Sequence, residues 1–442
     1  MKDKWQKCLN PLRFTSNGPK ILESELRNPF IIDQDRILFS SSFRRLAKKT
    51  QVHPLTRNDH IHNRLTHSLE VACVARTIGL HIGYFIQKEG HIPDAVEPYN
   101  IGEIVYAACL AHDIGNPPFG HAGESAIQDW FKDSDNEQFI KELTKKQQMD
   151  FQSFDGNAQG LRVITALENN KDKGGLRLSF PTIAAIVKYP RSSYEALGME
   201  NTKFNYYQSE QSIFEEIFSS LGLSNGKGYS RHPLSYVTEI ADDICYRIVD
   251  IEDALELKII SFDEIINVIS PIEKIINIDK EKLNCMDSDR RRLSMLRTLI
   301  IKEMVKSAVE AFKEKYKQIM EGTTSPLIAH CNIQCREYMD KAKDIFNNKI
   351  KNEPQKMALE IGAYGTYKIL LDVFIPATFN KIKKMKLSYK DTRALDLMGV
   401  NAPVENDNLY LAYLRVIDFV TGMTDSYATF ISRQFSGTAV GQ

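Results

Sequence analysis

The 442-residue chain lacks the features that several protein classes require. Its 57 Lys and Arg residues equal its 57 Asp and Glu residues, and this balance excludes a protein that coats nucleic acid or an anionic membrane through its overall charge. No uninterrupted apolar run of about 18 residues occurs, and the N-terminus leads into no apolar segment typical of a signal peptide. We therefore expect an unprocessed, cytoplasmic chain that contacts no membrane.

Cysteine is also scarce, and its seven residues form no C-x-x-C pair. This pattern predicts reduced thiols rather than a disulfide framework. His330, Cys331 and Cys335 lie close together but have no fourth ligand nearby, so we interpret them as core residues and not as a zinc site. Hydrophobic residues make up 43% of the chain, which is enough for a real core and excludes intrinsic disorder.

Glycine and proline are sparse and scattered, and the apolar residues between them recur mostly at helical spacing. This pattern predicts an all-α fold with at most a minor β-hairpin, for which Gly174-Gly175 is the best turn. Residues 133–150 are charged and predict a loop or an exposed helix. The predicted helices are 68–87, 101–112, 157–169, 181–188, 234–258, 290–320, 354–373 and 408–434. Another is predicted to begin near His121–Ser125 and to end at about Lys132.

Histidine is the informative residue, because eight of the ten lie between His53 and His121. Such crowding points to a metal site or an acid–base site. His112 and Asp113 stand out because they follow an apolar helix and precede a Gly/Pro stop, so a rigid element would hold both side chains beside an open turn. Imidazole and carboxylate together suit Mn²⁺, Fe²⁺, Zn²⁺ or Mg²⁺. For the doublet alone, an Asp beside a satisfied core histidine is the favoured explanation.

Two other segments could complete a coordination shell. His67 begins the first amphipathic helix, although a single histidine there is also typical of a helix cap or a surface. Asp242, Tyr246 and Asp250 are four residues apart and share one helix face. Their Ile and Val neighbours would make these carboxylates costly to bury without a cation or a hydrogen-bonding ligand. A solvated acidic face is the alternative.

Taken together and in order, these segments resemble the HD-domain phosphohydrolases, and the longer strings resemble the deoxyguanosinetriphosphate triphosphohydrolase-like family of dNTP triphosphohydrolases. The resemblance extends from about residue 35 to about residue 435. It is specific because the strings are long and collinear. They are Ser42–Val52, Arg64–Val71, His112–His121 with Glu124, Gly156–Arg162, Ala241–Tyr246 and Asp418–Asp425.

The resemblance implies an all-α HD-domain fold, with an N-terminal arm at 1–55, the HD phosphohydrolase domain at 56–260 and a helical C-terminal region at 261–442. It implies hydrolysis of a dNTP at the α-phosphate to a deoxynucleoside and inorganic triphosphate, which would control dNTP pools. The implied metal ligands are His67, His112, Asp113 and Asp242. The implied acid–base pair is His121 with Glu124.

Substrate contacts follow from the same resemblance. Gln51, Tyr246 and Asp250 would read the sugar, with the Tyr246 ring excluding a 2′-hydroxyl. Arg64, Lys188 and Tyr189 would hold phosphates. Asn116 and Asn157 stand where other HD proteins carry a histidine, and we place them among the substrate-binding residues.

The resemblance further implies one divalent metal ion per subunit, Mn²⁺ or Mg²⁺ before Fe²⁺, Co²⁺ or Zn²⁺, and a homotetramer or homohexamer. Arg44-Arg45, Lys48-Lys49 and Arg290–Arg292 form basic runs that predict solvated faces, or binding of a dNTP effector or single-stranded DNA. Two other functions stay open at this point. One is an HD hydrolase of an alarmone or a phosphodiester, and the other is a non-catalytic nucleotide sensor or single-stranded-DNA binder.

Overall fold

The computed structural model describes residues 1–21, 27–53, 55, 58–169, 174–226 and 228–438, and these residues are mostly helical. The first eleven α-helices are α1 Lys2–Cys8, α2 Pro29–Leu38, α3 Ser41–Arg45, α4 Arg64–Lys88, α5 Tyr99–Ala111, α6 His121–Lys132, α7 Glu137–Ile140, α8 Lys145–Gln152, α9 Gly156–Arg162, α10 Phe180–Ile186 and α11 Gln211–Ser220. The remaining helices are α12 Ser235–Glu256, α13 Phe262–Glu273, α14 Lys280–Asn284, α15 Asp289–Glu314, α16 Tyr316–Glu321, α17 Ile333–Ile345, α18 Pro354–Ile382, α19 Tyr389–Met398, α20 Leu409–Thr421 and α21 Asp425–Phe435.

The all-α prediction with a minor hairpin is confirmed, but the predicted position of the hairpin is wrong. The hairpin joins β1 Leu12–Thr15 to β2 Gly18–Ile21 in antiparallel register. At the predicted place, residues 174–179 form a turn and an irregular segment, and residues 170–173 lie outside the described part of the chain. Here the backbone amide of Leu176 donates to the carbonyl of Ile164 at the end of the preceding helical segment. The Leu176 amide therefore donates to a helical segment and is not available to pair with a neighbouring strand.

Helix α4 forms the centre of the larger core and packs mainly against α5, α12 and α15. An Asn63 cap starts it, because the side chain accepts hydrogen bonds from the amides of Leu65 and Thr66. By length and composition alone α4 could span a membrane, yet half of its most apolar stretch is buried inside the fold. Core packing is therefore a sufficient reason for its apolar sequence.

A second core lies between α6, α8, α18, α20 and α21. Tyr367 and Phe374 of α18 are fully buried there, together with Trp130 and Phe131 of α6. The N-terminus of α6 lies at the boundary between this core and the larger one. The division of the chain at residues 55 and 260 stays a prediction.

Several predicted helices differ from the structure in length and continuity. The predicted 290–320 and 408–434 are each two helices, broken at Lys315 and at Gly422–Thr424. The second break has a local cause, since the Thr424 side chain caps α21 by accepting from the amide of Tyr427. Residues 133–150 contain the short helices α7 and α8. Helices α1, α2, α3, α11, α13, α14, α17 and α19 were missing from the prediction.

A half-buried histidine stabilises the approach to α4. His62 Nδ1 lies 2.7 Å from Asp253 Oδ1, and Nε2 lies 3.5 Å from Glu70 Oε1. Burial lowers the pKa of the ring, but the hydrogen bonds to the two carboxylates outweigh this effect and raise the pKa of His62 to about 10. The protonated imidazole therefore links the segment before α4 to α12.

Candidate functional site

Three helices bring the predicted metal ligands together. His67 lies in the first turn of α4, His112 directly follows α5, and Asp242 lies in the second turn of α12. One donor atom from each of these three side chains lies within 4.8 Å of the others. His67 Nε2 is 3.0 Å from Asp242 Oδ1, and His112 Nε2 is 3.6 Å from the same oxygen.

Asp113 borders this group and is not one of its three members. Its Oδ1 is 3.7 Å from His112 Nε2 and accepts a 2.6 Å hydrogen bond from Asn116 Nδ2. Its Oδ2 lies 3.0 Å from Arg64 Nη1, but this buried oxygen makes no hydrogen bond within the described residues. Asp113 Oδ2 therefore has an ion-pair partner in Arg64, while Oδ1 is the oxygen that lies near His112.

The chemistry of these donors fits a divalent cation. His112 Nδ1 lies 2.6 Å from the carbonyl of Cys109, and since a carbonyl only accepts, Nδ1 carries the proton and Nε2 presents its lone pair to the group. Such a backbone contact is typical of histidines that bind metals. Burial would lower the pKa of His112, but Asp113 and Asp242 outweigh it and raise the pKa to about 9. The carboxylates thus favour positive charge at this point, either a proton on Nε2 or a cation bound to the lone pair of the neutral ring.

His121 and Glu124 lie beside the metal-ligand group, in the first turn of α6. The His121 imidazole faces the cavity and makes no hydrogen bond to another described residue. Glu124 is buried and accepts a 2.7 Å hydrogen bond from the amide of Gly156 and a 3.1 Å hydrogen bond from Lys203. The predicted pair therefore shares one wall, but Glu124 does not hold the His121 ring directly.

A cavity of about 250 Å³ joins these groups. It contains twelve of the fourteen predicted site residues, and only His67 and Asp250 are absent from its walls. Its lining residues are Gln51, Arg64, His112, Asp113, Asn116, His121, Glu124, Asn157, Ile186, Lys188, Tyr189, Lys203, Ser235, Thr238, Glu239, Asp242 and Tyr246.

The predicted phosphate contacts lie in this cavity, but they already have partners. Arg64 lies beside Asp113, and Lys188 Nζ is 3.0 Å from Glu239 Oε1. Burial lowers the pKa of Lys188, but the charge of Glu239 outweighs it and raises the pKa above its usual value. Tyr189 is fixed through its backbone, whose amide donates to Asn205 Oδ1 over 2.7 Å. A phosphate would therefore share these cations with carboxylates.

The predicted sugar contacts divide between two places. Gln51 and Tyr246 lie in the wall between the main cavity and a neighbouring cavity of about 260 Å³, and Gln51 Oε1 is buried without a hydrogen bond in the described chain. Asp250 lies one helical turn beyond Tyr246 and is 1% exposed. Neither Asp250 oxygen accepts a hydrogen bond from a described residue, although Oδ2 lies 3.8 Å from Arg247 Nη1. Burial raises the pKa of Asp250 well above the usual value. The structure does not bring Asp250 to the cavity wall.

Asn116 and Asn157 face the same space from the two sides of the metal-ligand group. Asn116 donates to Asp113, while Asn157 Nδ2 donates to Asp155 Oδ1 over 2.8 Å. In this arrangement Asn116 orients a predicted metal ligand.

Sequence reasoning missed two charged residues of the cavity. Lys203 Nζ lies 3.1 Å from Glu124 Oε2 and 3.7 Å from Asp155 Oδ2, and no motif marks this lysine. Glu239 was also missed, although it lies three residues before Asp242 and helical spacing could have placed it on the same face.

The exposure of the basic runs and of the cysteine group differs in part from what was predicted. Lys49 is 3% exposed and not solvated, because its Nζ donates to the carbonyls of Asn116 and Thr421. Arg290 contacts the exposed ring of His60. Cys331 and Cys335 are buried as predicted, but His330 lies nearer the surface and contacts Ser325.

Comparisons with known proteins show the family of the chain. The family model of the HD domain matches residues 64–257. A deoxyguanosinetriphosphate triphosphohydrolase-like protein of Pseudomonas aeruginosa is 43% identical over 440 residues, which cover 98% of each chain. A protein of the same name from Synechocystis is 32% identical over 99% of this chain and 100% of its own. The deoxyguanosinetriphosphate triphosphohydrolase of Yersinia pestis is 28% identical over 92% and 93% of the two chains.

Proposed function

We propose that this chain, which belongs to the deoxyguanosinetriphosphate triphosphohydrolase-like family of HD-domain proteins, is a metal-dependent hydrolase of deoxynucleoside triphosphates. The reaction breaks the bond between the α-phosphorus and the 5′ oxygen. Water supplies the new oxygen on phosphorus, so the products are a deoxynucleoside and inorganic triphosphate. The names of the relatives support this substrate class, with dGTP as the first candidate.

The observation that carries the proposal is one cavity that combines three kinds of group. The metal-ligand group of His112 and Asp242, with Asp113 beside it, forms one side, and His121 lies on another wall. Arg64, Lys188 and Lys203 add three cations to the same walls. A hydrolase of a triphosphate needs this combination, because it must neutralise phosphate charge and supply a proton close to the scissile bond.

His67, His112, Asp113 and Asp242 would hold the divalent ion, for which Mn²⁺ or Mg²⁺ is our first choice and Fe²⁺, Co²⁺ or Zn²⁺ the next. When bound, such an ion supplies Lewis acidity, which lowers the pKa of water and neutralises phosphate charge. Asn116 keeps Asp113 oriented toward this site through its hydrogen bond.

His121 would give the proton to the departing 5′ oxygen. Burial lowers the pKa of the free His121 ring, with Lys203 and Arg64 adding to the effect and Glu124 opposing it. The negative charges of a bound triphosphate would raise that pKa and favour the protonated ring that a general acid needs.

Tyr246 would select deoxyribose by occupying the space next to C2′, and Gln51 would contact the sugar with its unpaired amide oxygen. Asp250 would act on the sugar site through Tyr246 and not by direct contact, because it is buried on the same helix face one turn farther along. Alarmones and phosphodiesters need no filter against a 2′-hydroxyl, so Tyr246 at the cavity wall favours a dNTP over these substrates.

Product analysis tests the proposal. The purified protein is incubated with Mn²⁺ and each dNTP and rNTP, and the products are separated by ion-exchange chromatography. Inorganic triphosphate with a deoxynucleoside supports the proposal. Pyrophosphate or orthophosphate would indicate another hydrolase reaction, and nucleotide binding without any product would favour the nucleotide sensor.

The assembly and location of the chain are further proposals. We expect a cytoplasmic homotetramer or homohexamer, and light scattering coupled to size-exclusion chromatography measures the subunit number. The same experiment, repeated with each dNTP and with single-stranded DNA, tests whether either one acts as an effector of assembly.

A further inference from the structure

The turn between Pro117 and Gly120 separates the predicted metal ligands from the predicted acid. It follows His112 and Asp113 and ends directly before His121. Two consecutive residues of this turn have positive φ angles, 64° at Phe119 and 54° at Gly120. Glycine tolerates this region, and a side chain at position 120 would also approach Arg64 Nη2 to 2.7 Å. Phenylalanine adopts it only where its surroundings hold it.

One buried carboxylate from the end of the chain holds this turn. Asp425 Oδ1 accepts a 3.1 Å hydrogen bond from the amide of Phe119. Asp425 Oδ2 accepts from the amide and the hydroxyl of Thr50, at 2.9 and 2.5 Å. Asp425 is 2% exposed and does not line the catalytic cavity. The bond to Phe119 is buried, and the two bonds to Thr50 are partly buried.

The two segments held by Asp425 carry residues that face the cavity. Thr50 directly precedes Gln51, and Phe119 lies two residues before His121. A single side chain from outside the site thus fixes the backbone next to a predicted sugar contact and next to the predicted acid.

Two further contacts hold the same turn from the same direction. The hydroxyl of Tyr367 donates to the carbonyl of Pro118 over 3.2 Å. Lys49 Nζ donates to the carbonyls of Asn116 and Thr421 over 2.6 and 2.7 Å. The break between α20 and α21 places Thr421 and Asp425 against the back of the turn, and a single continuous helix would not have this geometry.

We propose that Asp425 is a positioning residue, which acts through the Phe119–Gly120 turn to fix His121 and through Thr50 to fix Gln51. This inference rests on the proposed function and assigns a role to the C-terminal Asp418–Asp425 string, which the proposed chemistry does not use. Proton transfer requires the donor at hydrogen-bonding distance, and a displacement of about 1 Å can reduce a rate by about 100-fold.

Asp425→Asn tests the proposal, because the amide keeps the shape of the side chain but turns one acceptor into a donor that faces other donors. We expect kcat to fall by about 10- to 100-fold, while Mn²⁺ affinity measured by calorimetry stays within twofold, since the metal ligands contact neither Thr50 nor Phe119. Hydrogen exchange should become faster in peptides that contain Thr50 and Phe119, and it should be unchanged in peptides from α12.

Asp150→Asn is the matched control. Asp150 is equally buried and accepts three hydrogen bonds, from Ser193, Gln208 and Tyr410. None of these residues lines the cavity, so the control reports the general effect of losing a buried carboxylate. A kcat of Asp425→Asn within twofold of the control value overturns the proposal, as does unchanged exchange at Phe119.

Hydrogen exchange separates this inference from the proposed function. If the wild-type protein hydrolyses no dNTP, the proposed function fails, and the exchange experiment still decides whether Asp425 holds the turn. If Asp425→Asn does not fold, exchange in the wild-type protein decides the question. Slow exchange of the Phe119 amide is expected, and exchange at the rate of an unprotected peptide refutes the proposal.

Discussion

Lys203→Met gives a quantitative test of the cavity, because it removes a cation that no sequence motif revealed. The walls carry three basic residues, Arg64, Lys188 and Lys203, and four acidic residues, Asp113, Glu124, Glu239 and Asp242. The substitution leaves two basic residues against four acidic ones. Glu124 and Asp155 would also lose the ammonium group that lies 3.1 and 3.7 Å away.

The expected magnitude follows from the size of the site. A cavity of about 250 Å³ is about 8 Å across if treated as a sphere, and unit charges at that separation interact by about 2 kcal/mol at an effective dielectric constant near 20. The Lys203 side chain is 36% exposed, so solvent screening reduces this value to about 1 kcal/mol. Triphosphate carries several charges, so we expect KM for dGTP to rise by about 5- to 30-fold.

Steady-state kinetics at two salt concentrations measure the effect. The KM difference should shrink between about 50 and 300 mM salt, because the Debye length shortens. Lys203→Arg keeps the charge and should restore most of the affinity. Lys132→Met is the control, because it removes a lysine from the exposed surface of α6 and should leave KM unchanged. An unchanged KM for Lys203→Met, or an equal loss in the Arg variant, would refute the electrostatic reasoning.

Three further predictions concern the ligands, the sugar filter and the stability of the fold. Asp113→Asn should weaken Mn²⁺ binding by at least 10-fold in calorimetry, since a charged oxygen beside the metal-ligand group is lost, and undiminished affinity contradicts its assignment as a ligand. Tyr246→Ala should reduce the ratio of kcat/KM between dGTP and GTP by at least 10-fold, because the space beside C2′ opens, whereas an unchanged ratio rejects the filter. His62→Gln should lower Tm by a few degrees at pH 6, because the raised pKa gives stability that is fully present below the unfolded value near 6.5 and is lost as pH rises through about 10. The Tm difference from wild type should therefore shrink by pH 10.5, and an equal difference at both pH values contradicts the role of the protonated ring.

Local patterns determined much of the fold. The predicted helix from near His121–Ser125 to about Lys132 agrees with α6, and the predicted 234–258 is close to α12 Ser235–Glu256. These segments combine a strong apolar period with clear end signals, and neither property depends on distant residues. The prediction of one helix over 408–434 was wrong because the apolar period continues across Gly422–Thr424, and a side-chain cap at Thr424 decides the break.

The candidate site was also predictable only in part. Crowded histidines and the His112-Asp113 doublet indicated a metal or acid–base site, because metal chemistry restricts the residue types that can serve. The full set of His67, His112, Asp113 and Asp242 came from the family resemblance. Lys203 and Asp425 could not be identified from the sequence. Lysine and aspartate are common residues, and their meaning depends on which distant groups they meet.

Composition and local spacing were enough to predict the helical class and the types of donor, and the collinear motifs were enough to predict the family. Folding was needed to show that Glu124 contacts Lys203 and not His121, that Lys49 is buried and that Asp425 contacts Phe119 from 306 residues away. Contacts of this kind are set by how helices pack against one another, and packing depends on the shape of the whole core rather than on any local pattern.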